Sequence, residues 1–128
     1  MSVQRHGVSI GLERIEGEFF LTMRVRGKLT HEDYASLEPM LESAIAGVEN
    51  PKINVYFDAT EMEGWEPRAA WDDFKLGVKH GREFNRVAMV GNRRWQEMAA
   101  KVGSWFIGGE ARYFEDEGEA MSWLMEGT

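Results

Sequence analysis

The chain has 128 residues, 43% of them apolar and 29% charged, with a net charge of −7. That length and composition fit one globular domain over residues 1–128 and exclude a globally disordered chain. The chain contains no cysteine, so it has no disulfide scaffold, no Cys-ligated zinc site and no cysteine nucleophile.

Val8-Ser9-Ile10-Gly11-Leu12 alternates apolar with small or polar residues, the period-2 pattern of a strand. Glu16-Gly17-Glu18 reads as a turn. Phe19 to Val25 follows as a second strand with Phe19, Leu21, Met23 and Val25 on one face, so an N-terminal hairpin is expected. Thr30, with Asp33 three residues on, resembles a capping box and opens a helix. Tyr34, Leu37, Leu41, Ala44, Ile45 and Val48 recur at helical spacing, with Pro39 expected to kink the run. Gly47 and Asn50-Pro51 end it.

Ile53 to Phe57 predicts a buried central strand, and Asp58 to Glu66 a polar loop. Pro67 fits the first position of a second helix, with Trp71, Phe74 and Val78 as its apolar stripe and Gly81 as its end. Phe84 to Val90 is a further strand. Asn92 then caps a third helix, on which Trp95, Met98, Ala99, Val102 and Phe106 share one face up to Gly108-Gly109. Ala111 to Phe114 predicts a short last strand. Asp116 caps a final helix with Ala120, Met121, Leu124 and Met125 turned inward. The resulting order is ββαβαβαβα. Strands alternating with helices imply right-handed crossovers and a largely parallel sheet.

This order resembles the STAS domain, the fold of bacterial anti-sigma-factor antagonists, and the motifs resemble the SpoIIAA-like (STAS-like) family of small bacterial proteins. The resemblance is carried by Gly27-Lys28-Leu29-Thr30 with Tyr34, and by Val55-Tyr56-Phe57-Asp58 followed by Gly64-Trp65 and Trp71-Asp72-Asp73-Phe74-Lys75. It continues in Arg86 to Gly91 with Trp95, and in Arg112-Tyr113-Phe114 with Ala120 and Trp123-Leu124. It covers nearly the whole chain. It implies an α/β fold, a mixed β-sheet with helices packed mainly on one face, and no enzymatic activity. It also implies association with membranes or lipophilic ligands, with one helix region able to swing. The phosphoswitch antagonists carry a phosphorylatable serine in the turn after the central strand. Here the matching stretch, Thr60 to Glu66, holds no serine.

Charge is unevenly distributed. Residues 67–101 carry net +4, between flanks of −6 and −5. The acidic total opposes non-specific nucleic-acid binding, so no nucleic acid is expected as a partner. Trp105-Phe106-Ile107 lies just before two glycines, near Arg93, Arg94 and Lys101. Such a set suits an interfacial helix with an apolar side and a basic side toward anionic headgroups. On that reading Trp65, Trp71, Trp95, Met98, Trp105, Phe106 and Ile107 bind a lipophilic small molecule or an anionic membrane surface. Core packing explains the same aromatic residues.

The alternative is a regulator of a protein partner, with the acidic 61–66 stretch and the start of the second helix as the contact. His6, His31 and His80 have no metal-ligand spacing, no nucleotide fingerprint is present, and no catalytic set can be assembled, so neither cofactor nor catalytic residue is assigned. No run of about 18 apolar residues exists to span a membrane. Met1 to Gly7 lacks a signal-peptide core. The expected location is the cytoplasm, with peripheral attachment to the inner membrane under the lipid reading. The oligomeric state is left open, a homodimer being one option.

Overall fold

The computed structural model describes residues 7–15, 18–65, 81–92, 94, 96 and 109–126. Five strands form one sheet in the spatial order β1-β2-β3-β4-β5. They are β1 (Gly7–Ile15), β2 (Glu18–Leu29), β3 (Lys52–Trp65), β4 (Phe84–Val90) and β5 (Glu110–Phe114). β1 and β2 form the expected antiparallel hairpin, and β2, β3, β4 and β5 run parallel. A parallel neighbour needs a crossover. The first crossover is helix α1 (His31–Ile45).

α1 starts as its sequence dictates. The Thr30 hydroxyl accepts from Asp33 N–H (3.3 Å) and the Asp33 carboxylate accepts from Thr30 N–H (2.8 Å). These reciprocal bonds satisfy two otherwise orphaned donors. The helix runs through Pro39, which sits on its exposed side. It ends before Gly47, whose φ of 78° is left-handed and suits glycine. Leu37, Leu41 and Ile45 are buried against Phe19, Leu21, Met23, Val25, Ile53 and Val55. The odd-numbered row of β2 therefore faces α1, as the alternation of its apolar residues requires.

The second described helix, α2 (Glu117–Glu126), covers the opposite face. Ala120, Trp123 and Leu124 bury against Tyr56, Ala88 and Val90. α1 and α2 thus flank the sheet, and the one-face arrangement does not extend to the C-terminal helix. Asp116 caps α2 through its carboxylate, which accepts from Glu119 N–H (2.9 Å). Met121 and Met125 are 42% and 47% exposed, not turned inward, and Trp123 takes the core position. The inward set at i, i+3 and i+4 is Ala120, Trp123 and Leu124, which rotates both methionines onto the flank.

Two helices lie among the described residues, besides a 3₁₀ turn at Gly81–Glu83. The expected second helix, and nearly all of the third, fall outside the described residues. Arg94 and Gln96 have helical backbone, where the third was expected to start.

The largest departure from the sequence reading is in β3. The polar loop expected over Asp58–Glu66 is strand as far as Trp65. β2 runs on to Leu29 and supplies its ladder, pairing Arg26 with Glu61, Gly27 with Met62 and Leu29 with Trp65. Ala59 and Met62 are fully buried within this extension.

Candidate functional site

In open α/β sheets, binding surfaces form beyond the carboxyl ends of the parallel strands. Here that end is shaped by two irregularities in the β2–β3 ladder, one between Arg24 and Arg26 and one between Gly27 and Lys28. Each inserts one extra β3 residue, so each is a bulge that bends the strand and re-aims its side chains.

Asp58 sits at the first bulge and is 3% exposed. Its carboxylate accepts from the Thr60 N–H (3.0 Å), the Thr60 hydroxyl (2.6 Å) and Arg24 Nε (3.0 Å). Burial alone pushes the Asp58 carboxyl up. The two Thr60 bonds and the Arg24 charge outweigh burial and hold it below its ordinary value of 3.8. Asp58 is thus ionised at neutral pH and committed to shaping the chain, which removes it as a general acid. Neighbouring Tyr56 is pushed up by burial first, and then by the negative charges of Glu117 and Asp58.

Gln96 completes the arrangement. It is fully buried. Its Nε2 donates to the carbonyls of Ala59 (2.6 Å) and Met62 (3.3 Å), and its Oε1 accepts from Asn92 N–H (3.0 Å). Asn92 Nδ2 donates to Thr60 O (3.4 Å). One side chain therefore joins the chain after β4 to both bulges of β3. Gly91 makes room for it, because a Cβ there would overlap Gln96 Oε1 and press on Tyr113.

Held from below in this way, the extension presents charged groups of both signs. Arg26 Nε and Glu61 pair at 3.0 Å with 42% and 57% of their side chains exposed. Lys28, Glu63, Asn92 and Arg94 are also exposed. The pair adds little stability at that exposure. Its effect is to display charge of both signs on the strand extension.

Of the residues selected from the sequence, Arg94 lies in the segment that Gln96 anchors, and the backbone of Trp65 ends β3. Arg94 and Trp65 therefore flank the same knot. Trp71, Arg93, Trp95, Met98, Lys101, Trp105, Phe106 and Ile107 lie outside the described residues. Sequence reasoning missed Gln96 and the role of Asp58. The Asp58-x-Thr60 spacing, which favours a side-chain-to-backbone turn, was the available signal for the latter. Among the described residues no three His, Asp or Glu side chains converge to hold a metal, and no helix is long and apolar enough to cross a membrane.

A family model described as SpoIIAA-like matches residues 20–125. The chain is similar to the crystal structure of an uncharacterized protein of the DUF3478 family with a SpoIIAA-like fold from Shewanella loihica PV-4. The identity is 50% and the TM-score 0.80, over 97% of this chain and 98% of that one. It also shares its fold with the anti-sigma factor antagonist SpoIIAA in its unphosphorylated form. There the identity is 13% and the TM-score 0.56, over 94% of this chain and 100% of that one. No curated protein matches.

Proposed function

The chain belongs to the SpoIIAA-like family, and on that footing we propose that it regulates a protein partner by binding it through the carboxyl end of β3. It is a non-catalytic STAS-like module. The observation that carries the reading is the exposed ridge of Arg26, Glu61 and Glu63, which rests on buried and hydrogen-bonded Asp58 and Gln96. A surface pre-organised in this way loses less entropy on binding than a mobile loop. The family's link to an anti-sigma factor antagonist supports a protein as the ligand class. The chain has no serine between Thr60 and Glu66, so control by phosphorylation of a serine there is not part of the proposal. On this reading the protein is a single domain in the cytoplasm.

Affinity capture from the native host's extract tests it. Wild type should retain a partner that Glu61→Lys combined with Glu63→Lys does not. Absence of a retained partner, or equal retention by the variant, contradicts the reading. A second reading rests on the Trp105-Phe106-Ile107 sequence with Arg93, Arg94 and Lys101 nearby, which suits an anionic lipid surface or a lipophilic ligand. It predicts salt-sensitive flotation with anionic vesicles that Trp105→Asp abolishes. No flotation under any condition removes it.

A further inference from the structure

β1 and β5 are the margins of the sheet. A sheet margin carries unpaired backbone groups, and proteins usually blunt it with a short strand, proline, lysine or a bulge. β5 is five residues long. β1 is nine residues, Gly7 to Ile15, with neither proline nor lysine, and its ladder to β2 is unbroken from Gly7↔Arg26 to Ile15↔Glu18. Among the described residues no strand pairs with its outer side. Val8, Ile10 and Leu12 pack against the main core cluster but remain only partly buried. The apolar face of the sheet thus reaches this margin half covered.

We propose that β1 pairs antiparallel with β1 of a second copy, centred on Ile10, so that two five-stranded sheets become continuous across a two-fold axis. Antiparallel pairing of a strand with itself is an isologous contact, in which one patch serves both sides. With the axis at Ile10, that residue lies opposite its own copy, Val8 opposite Leu12, and Ser9 opposite Gly11. Apolar residues then meet apolar ones on the core face, and small residues meet on the other. A Cβ at Gly11 would have nothing within 4 Å, so the outer face of the sheet is uncrowded where Ser9 and Gly11 would meet. Moving the axis to Gly11 would place Val8 opposite Arg14. Segment Gly7–Leu12 carries no charge, which keeps the like-signed charges of two copies, each net −7, away from the joint. These matches favour a second copy over an unrelated strand.

The absence of cysteine allows a test of register. Opposed residues of an antiparallel pair lie about 4.5–5.5 Å apart between Cα atoms, within the disulfide range of about 4.4–6.8 Å. Oxidised Ile10→Cys protein should therefore form a covalent dimer. Leu12→Cys should not, because position 12 and its copy are offset by four residues, about 14 Å. Sedimentation equilibrium should show a wild-type dimer and an Ile10→Lys monomer with unchanged far-ultraviolet circular dichroism. If Ile10→Lys does not fold, the cysteine pair still decides. A monomeric wild type, a folded Ile10→Lys dimer, or crosslinking of Leu12→Cys as fast as Ile10→Cys would overturn the proposal.

Discussion

Replacing Gln96 by alanine separates the two halves of the proposed surface. The substitution removes two bonds to the carbonyls of Ala59 and Met62 and one from the N–H of Asn92, in a position with no solvent exposure. A typical intramolecular hydrogen bond contributes about 0.5–1.5 kcal/mol net, and a buried group left without a partner costs about 1–3 kcal/mol. Water entering the vacated space recovers part of this. We therefore expect Gln96→Ala to lower stability by about 2–4 kcal/mol. Urea unfolding followed by far-ultraviolet circular dichroism reads it as a shift in midpoint at unchanged slope. Gln96→Glu sharpens the test, because it sets a carboxylate oxygen where the amide donated to two carbonyls. Burial among acceptors would raise the pKa of the introduced carboxyl above its unfolded value. Its penalty should then be small below about pH 4 and grow as pH rises through the shifted value. A loss below about 0.5 kcal/mol for Gln96→Ala, typical of a surface position, would refute the reasoning. So would a pH-independent difference between Gln96→Glu and wild type.

Asp58 is held below its ordinary pKa of 3.8, so its contribution is present above that pH and is lost as the carboxyl protonates below it. Asp58→Asn should cost about 1.5–3 kcal/mol at pH 7, and the gap to wild type should close in urea titrations between pH 5 and pH 2; a constant gap contradicts this. A Cβ at Gly109 would overlap the Asn85 backbone carbonyl, so Gly109→Ala should destabilise by about 1–3 kcal/mol, whereas Gly11→Ala, which meets open space, should stay within about 0.5 kcal/mol in the same assay. Thr30→Ala removes the α1 cap and should cost about 1 kcal/mol; a thermal midpoint equal to wild type would contradict that role.

β1 and β2 were legible from their alternation, β3 and β4 from short β-rich apolar runs, and the caps at Thr30 and Asp116 because their side chains act within three residues. Local signals failed where distant partners decide. Glu61, Glu63 and Gly64 read as a loop, yet they lie in strand because β2 continues alongside to Leu29. Gln96 reads as an ordinary polar helix residue, since the carbonyls it satisfies are 34 and 37 positions away in sequence. The inward side of α2 was misread because Met121 and Met125 are apolar but rotate off the face that Trp123 fills. Nothing in a one-dimensional pattern reveals that Arg86 lies over the Trp123 ring at 4.7 Å and donates to its carbonyl, which fixes Trp123 inward.

The claim that the carboxyl end of β3 is a partner-binding surface is tested most directly by hydrogen–deuterium exchange on the complex with a captured partner. The account predicts added protection over residues 58–65 and over β2 residues 24–28. Protection confined to other segments, with 58–65 exchanging as in the free protein, would contradict it.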